Sequence, residues 1–188
     1  GTNFPIAVKL NSSDQREGGF GECEALEVGA ALETSSLDLI DISGGTYFPG
    51  ANSASDGAGR GPDFAEFARQ ARNVTTKPIM LTGGFKTLAQ AEKAISDGTA
   101  DIVGLARALI LEPALPILWK ANKTPKPNFP RFDHTPEGGV TAWYTMRLTE
   151  IAEGKSNFEF DDLDQALAAY EERDRKRTQT WLEHFATG

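Results

Sequence analysis

The sequence contains few of the residues that build covalent or metal-based sites. Among its 188 residues there are one cysteine, Cys23, and two histidines, His134 and His184. A single cysteine excludes an internal disulfide and a cysteine-rich zinc site. His134 lies in a Pro-rich stretch with no cysteine or acidic companion at metal-ligand spacing, and His184 lies in a charged helical pattern, so no metal is expected. This cysteine usage is typical of a reducing compartment, and we expect a cytoplasmic protein.

The sequence also has no excess of positive charge and no long apolar run. Its formal net charge is −8 and its calculated pI is about 4.8, whereas surfaces that bind nucleic acids or anionic membranes are usually basic. No apolar run approaches the roughly 20 residues of a membrane span. Residues 1–10, "GTNFPIAVKL", have neither the basic start nor the apolar centre of a signal peptide. We therefore expect no nucleic-acid partner and no membrane association.

Short apolar segments alternate with helical patterns. Four segments are nearly continuous in apolar residues, which is typical of parallel strands covered on both faces; they are residues 5–11, 37–45, 77–84 and 100–107. The helical patterns cover residues 21–36, 62–74, 87–98, 111–122, 141–154 and 161–188. This order predicts a parallel α/β sheet with right-handed crossovers.

Four βα units correspond either to half of a (β/α)8 barrel or to a small open sheet, since a complete barrel typically needs about 250 residues. The chain opens almost directly on a strand of buried type, "PIAVKLN". Domains seldom begin so abruptly, and we therefore expect a piece of a longer protein.

The stretch "KPIMLTGGFKTLAQAEKAISDGTADIVGLARALI", residues 77–110, has a small-residue break after each of its two strands. In a barrel, the loops after the last two strands commonly bind phosphate. If these are the last two strands, an anion would face Gly83, Gly84, Phe85, Ala106 and Arg107, with a close backbone approach at the glycines and a forked donor from the arginine. A tight turn with a surface arginine explains the same residues equally well.

Lys9 interrupts the first apolar strand near its carboxyl end. A lysine in such a position either pairs with an anionic group or extends its charge past an edge strand into water. In an enzyme with an anionic cofactor it would supply positive charge. Both interpretations remain open on the sequence alone.

Several motifs together resemble one family. In order along the chain they are "PIAVKLNSSD", "GGFGECEALEVGAALE", "LDLIDISGGTY" and "KPIMLTGGFKTLAQAEKAISDGTADIVGLARALILEPALP". This combination, between residues 5 and about 118, is similar to the C-terminal half of the Old Yellow Enzyme family, the NADH:flavin oxidoreductases. The resemblance implies a TIM-type (β/α)8 barrel of which this chain supplies strands five to eight. Residues 1–122 would form the half-barrel, and residues 123–188 an irregular excursion followed by a helical extension.

The same resemblance implies a cofactor and a reaction. FMN would lie with its phosphate on Gly84 and Phe85 after the seventh strand and on Ala106 and Arg107 after the eighth. Lys9 would stand near the flavin pyrimidine, where the family usually has arginine. Hydride would pass from NAD(P)H to FMN and then to an electron-poor alkene. The family's substrate-binding and proton-donating residues lie in its N-terminal half, so no catalytic residue is assigned here.

Two alternatives to an incomplete ene-reductase remain. In the first, the chain is a non-catalytic flavin- or phosphate-binding half-barrel that acts by association, because an open half exposes two strand edges. These edges would pair with a missing N-terminal half-barrel or with a second copy. In the second, the chain is a fragment of a phosphate-binding isomerase or aldolase that uses the same two loops.

Overall fold

The structure is a computed structural model that describes residues 4–44, 61–155, 158 and 160–185. The Gly-, Ser-, Ala- and Asn-rich residues 46–61 predict a long loop at the carboxyl end of a strand, a place where functional loops concentrate. Residues 46–60 of this stretch lie outside the described residues. The chain divides into two compact units, residues 1–129 and residues 130–188.

The first unit is built on a four-stranded parallel sheet. Its strands are β1 (Ala7–Asn11), β2 (Leu39–Ser43), β3 (Ile79–Thr82) and β4 (Ile102–Gly104). All neighbours pair in parallel, and the order in space is β1-β2-β3-β4, the same as along the chain. In a doubly wound sheet, the strand order in space reverses at a switch point. Here the strand order does not reverse, which is typical of a barrel. The sheet is a partial α/β barrel, as predicted.

The two faces of the sheet differ in composition. Register places Ile40 beside Ile79 and Ile42 beside Leu81, and all four side chains are at most 2% exposed and belong to the hydrophobic core. The opposite row runs from Lys9 through Asp41 and Met80 to Ile102.

The apolar composition of the strands predicts a sheet that is covered on both faces. This second row shows that the prediction is wrong for one face. Ile102 is 45% exposed, and the Lys9 side chain is 59% exposed. The reason is that the row belongs to the interior of a barrel, and the described residues build only four of its strands.

The helices of the first unit follow the strands. They are α1 (Glu22–Leu32), α2 (Ala65–Ala71), α3 (Leu88–Ser96), α4 (Arg107–Leu111) and α5 (Leu115–Lys120). Thr87 caps α3, since its side chain accepts a hydrogen bond from the Gln90 N–H.

One predicted helix, residues 111–122, is wrong in extent. The structure has α4 and α5 in its place, separated at Glu112–Ala114. Pro113 has no N–H to continue α4, and Pro116 stands in the first turn of α5, where a proline is tolerated.

The amino ends of the strands are tied together by polar contacts. Glu33, just after α1, accepts hydrogen bonds from the hydroxyls of Thr75 and Thr76, both at 2.6 Å. The Asp101 carboxylate accepts a hydrogen bond from the Ile79 N–H at 2.8 Å and pairs with the Arg72 guanidinium. These contacts join α1, α2 and the strands at the end of the sheet away from the glycine pair.

The second unit contains α6 (Gly139–Ala152) and α7 (Leu163–Phe185). Its core is aromatic. The Trp143 ring meets Phe132, Tyr144 and Phe158 edge to face, with ring centroids 5.7, 5.0 and 4.5 Å apart. The Trp143 Nε1–H donates to the Phe160 carbonyl at 3.1 Å, so the indole is both packed and hydrogen-bonded.

Candidate anion-binding site at the carboxyl ends of β3 and β4

A cavity lies at the carboxyl ends of β3 and β4. Its volume is about 130 Å³, well below the ~300–1,000 Å³ of pockets that enclose a whole small molecule. One wall is residues 82–86, which follow β3; another is residues 104–108, which follow β4; Phe129 adds a third side. A cavity of this size fits one end of a ligand rather than all of it.

The glycine pair has a backbone that other residues would not tolerate. Gly83 has φ +121° and Gly84 has φ +77°, both in the region that favours glycine. A Cβ added to Gly84 would collide with the Gly61 carbonyl oxygen and would lie 2.9 Å from the Asp63 backbone nitrogen. Gly84 is therefore required twice, by its dihedral angle and by the close approach of a neighbouring loop.

Two cationic side chains line the cavity. Lys86 follows the glycine pair, and its Nζ lies 5.3 Å from the centroid of the Phe129 ring. Arg107 is half-buried and begins α4. Burial raises the pKa of the nearby Asp63 carboxyl, and the positive charge of Lys86 opposes that shift. The cavity thus combines two cations with a backbone that passes close by, which suits an anion.

A polar row crosses the open face of the sheet beside the cavity. Lys9 Nζ lies 3.6 Å from Asp41 Oδ2, and the Thr82 hydroxyl donates to Asp41 Oδ1 at 2.7 Å. Asp41 is only 8% exposed. A Cβ at Gly104 would overlap the Thr82 hydroxyl, so the row has room only because β4 carries glycine at that place.

The structure brings together five of the six residues predicted to bind a cofactor. Gly83, Gly84, Phe85, Ala106 and Arg107 all line the cavity. Phe85 is 4% exposed and belongs to the hydrophobic core. Lys9 lies elsewhere on the sheet, paired with Asp41. Their role in binding a cofactor stays a prediction.

Sequence reasoning missed four residues at or beside this site. Thr82 and Asp41 are the polar residues that interrupt "IMLTGG" and "LDLIDIS", and this interruption was a usable signal. Lys86 directly follows "GGF", and this position was a usable signal for a second cation at the site. Phe129 comes from the Pro-rich stretch after α5, and no local pattern connects it to the glycine pair.

In the described part of the chain, no three His, Cys, Asp or Glu side chains cluster in a way that could hold a metal ion. None of the described helices is long and apolar enough to cross a membrane.

The chain is similar in sequence to flavin oxidoreductases of fungi and bacteria. It is 33% identical over 126 residues to an NADH-dependent flavin oxidoreductase of Neonectria sp. (strain DH2), a match that covers 60% of this chain and 16% of the relative. It is 32% identical to a protein of the same description from Hypocrea jecorina, covering 61% of this chain and 31% of that protein. An NADPH dehydrogenase of Geobacillus sp. is 30% identical, and the match covers 60% of this chain and 32% of that protein. The predicted resemblance to the Old Yellow Enzyme family is confirmed.

Solved structures support the fold. A 2-naphthoyl-CoA reductase superposes with a TM-score of 0.59 at 28% identity, covering 65% of this chain and 19% of that one. Histamine dehydrogenase from Rhizobium sp. 4-9 superposes with a TM-score of 0.51 at 21% identity, covering 63% of this chain and 17% of that one. This second similarity concerns the fold alone. No family model matches the chain. The chain spans about a third or less of the curated relatives named above.

Proposed function

We propose that this chain is the FMN-binding part of an NAD(P)H-dependent flavin oxidoreductase of the Old Yellow Enzyme type. The observation that carries the proposal is the cavity after β3 and β4, lined by Gly83, Gly84 and Arg107, in a chain whose relatives are named flavin oxidoreductases. The cavity would hold the phosphate of FMN.

The residues present fit such a phosphate. A side chain at Gly84 would fill the space where the backbone passes close to the loop at Gly61. Lys86 and Arg107 supply positive charge, and the volume of about 130 Å³ suits a terminal group rather than a flavin ring. The ring would extend from the cavity over the open face of the sheet, on which Lys9, Asp41 and Thr82 form a row.

Each residue has a role in this proposal. Arg107 binds the phosphate as a charged, forked donor, and Gly83 and Gly84 let the backbone approach it. Phe85 packs into the core and fixes the glycine pair from behind. Lys9 supplies positive charge on the open face, with its position set by Asp41.

Bound FMN would accept hydride from NAD(P)H and deliver it to an electron-poor alkene, as the family resemblance implies. The protein groups that bind the alkene and supply its proton would come from a part of the relatives that this chain does not span. We propose that the chain is catalytically incomplete without that part.

A titration with two flavins tests the phosphate site. FMN and riboflavin, which lacks the phosphate, are titrated into the 188-residue chain and followed by flavin fluorescence. FMN is expected to bind more tightly than riboflavin. Arg107→Ala is expected to weaken FMN binding by about 1.5–3 kcal/mol, because a charge-assisted contact is lost, and to leave riboflavin binding nearly unchanged.

Arg69→Ala is the matched control, since Arg69 is an exposed arginine on α2 that pairs with Glu66. It removes the same charge and should leave the affinities for both flavins unchanged. Equal binding of FMN and riboflavin, or no FMN binding by a chain whose circular dichroism is native, would contradict the proposal. Equal losses in both arginine variants would mean that overall charge, not the cavity, attracts the ligand.

A further inference from the structure

Thr82 belongs to the cavity and to the polar row at the same time. It is the last residue of β3, and it lines the cavity together with Gly104 of β4. Its hydroxyl donates to Asp41 Oδ1 at 2.7 Å, and a Cβ at Gly104 would overlap this hydroxyl. Thr82 is therefore the polar residue that joins the cavity to the open face of the sheet.

Asp41 decides which part of the Thr82 hydroxyl is available to a ligand. A hydroxyl has one hydrogen to donate and two lone pairs that accept, and a carboxylate that pairs with a lysine has no hydrogen to give. The hydrogen of the Thr82 hydroxyl is thus committed to Asp41. This arrangement is well fixed, because Asp41 is only 8% exposed and its second oxygen pairs with Lys9. Toward a ligand, the Thr82 oxygen can act only as an acceptor.

An acceptor does not serve the phosphate itself. The oxygens of a fully ionised phosphate are acceptors too, so they gain no hydrogen bond from the Thr82 oxygen. The positive charge for a phosphate comes from Lys86 and Arg107, which line the same cavity. The Thr82 oxygen suits instead a donor on the group that follows the phosphate. FMN has such donors, since the chain that joins its phosphate to its ring carries hydroxyls.

We propose that Thr82 is a specificity-determining residue whose hydroxyl oxygen accepts a hydrogen bond from a hydroxyl on the chain of the ligand, and that Asp41 holds Thr82 in this role. The inference rests on the proposed function, in which the ligand is FMN and its phosphate lies in the cavity. The site then distinguishes a phosphate ester with a hydroxyl-bearing chain from one with a plain alkyl chain. A ligand without the hydroxyl leaves the Thr82 oxygen without its donor and binds more weakly.

Two phosphorylated flavins test the inference. FMN and a flavin phosphate with an unhydroxylated pentyl chain are titrated into the full 188-residue chain, and binding is followed by flavin fluorescence. Both ligands carry the ring and the phosphate, so they differ only in the hydroxyls between them. The unmodified chain is expected to bind FMN at least about threefold more tightly than the pentyl analogue, because one net hydrogen bond is gained.

Substitutions at Thr82 assign this difference to one side chain. Thr82→Val removes the hydroxyl and keeps the shape of the side chain. It should lower the affinity for FMN by about three- to tenfold and leave the affinity for the pentyl analogue unchanged. Thr82→Ser keeps a hydroxyl and should bind FMN as the unmodified chain does. Thr180→Val is the matched control, since it removes an exposed threonine hydroxyl of α7 and should change neither affinity.

Two results would overturn the inference and leave the phosphate site in place. The first is equal affinity of the unmodified chain for the two flavins. The second is an equal loss of both affinities in Thr82→Val with native circular dichroism, which would give Thr82 a structural role only.

A third result, a chain that binds neither flavin, would overturn the proposed function as well. Ribose 5-phosphate is then the informative probe, because it has the phosphate and the hydroxyls without the ring. Binding of ribose 5-phosphate that depends on Thr82, in a chain that binds no flavin, would assign the site to sugar phosphates.

Discussion

The two ends of the parallel sheet are built by different means. At the amino ends of the strands, charged side chains have several partners each: Glu33 binds Thr75 and Thr76, and Asp101 binds Arg72 and the Ile79 N–H. At the carboxyl ends of β3 and β4 there is a cavity beside the glycine pair. In barrels, the amino ends of the strands commonly contribute stability and the carboxyl ends the binding site, and the cavity of this chain lies at the carboxyl ends.

The largest effect that would test this division is expected at the glycine pair. Gly84→Ala should cost about 1–2 kcal/mol for its positive φ and about 1–3 kcal/mol more for the collision with the loop at Gly61 and Asp63. Gly98→Ala is the matched control, since Gly98 has φ +73° and no atom within 4 Å of the added Cβ.

Urea unfolding of the two variants, with FMN titration of each, separates strain from collision. Gly98→Ala should lose only the stability that corresponds to the cost of its positive φ. It should bind FMN as the unmodified chain does. Equal destabilisation by both substitutions would show that the close approach at Gly84 has no energetic weight. It would leave the positive φ of Gly84 as the reason for glycine at this position.

A smaller effect is expected at the amino end. Asp101→Ala removes the partner of Arg72 and leaves the Ile79 N–H without its acceptor. Because the Asp101 side chain is 50% exposed, we expect a loss of about 1–2 kcal/mol in the free energy of unfolding, with FMN affinity unchanged.

Glu66→Ala is the control for this substitution, since it breaks an exposed pair with Arg69 and should cost less than about 1 kcal/mol. A fall in FMN affinity of the folded Asp101→Ala variant would mean that the two ends of the sheet are coupled rather than independent.

A further effect is expected at Glu33, whose contribution to stability is present at neutral pH and is lost in acid. Hydrogen bonds from Thr75 and Thr76 lower the pKa of Glu33 from 4.5 to about 2. A carboxyl whose pKa is lowered on folding stabilises the protein above its unfolded pKa, and this stabilisation is lost as pH falls through the folded value. Glu33→Gln should therefore flatten the loss of stability between about pH 4.5 and pH 2.

Urea midpoints measured from pH 7 to pH 2 check this prediction. Glu27→Gln, a change at an exposed position of α1, is the control and should leave the loss of stability in acid unchanged. An unchanged acid limb in Glu33→Gln would assign the acid sensitivity to other carboxyls, of which Asp97 and Asp101 also have lowered pKa values.

The sequence could predict contacts between residues that directly follow recognisable strands. It could not predict contacts that depend on how neighbouring strands align with one another. Gly83, Gly84 and Phe85 are consecutive and follow a recognisable strand, and Ala106 and Arg107 follow the next one. Since parallel strands end at the same edge, the two groups were expected to meet, and they line one cavity. The Asp41–Thr82 hydrogen bond joins residues 41 positions apart, and no local pattern reveals it.

The sequence by itself determined the order of strands and helices, the location of the glycine pair and the relationship to flavin oxidoreductases. These depend on apolar periodicity, on local turn chemistry and on the identity of consecutive residues. Only the tertiary structure decided that Asp41 stands between Lys9 and Thr82, that the loop at Gly61 leaves no room for a side chain at Gly84, and that Phe129 closes the cavity. The physical reason is that register and loop packing are collective, because each depends on how all the neighbouring elements fill space together.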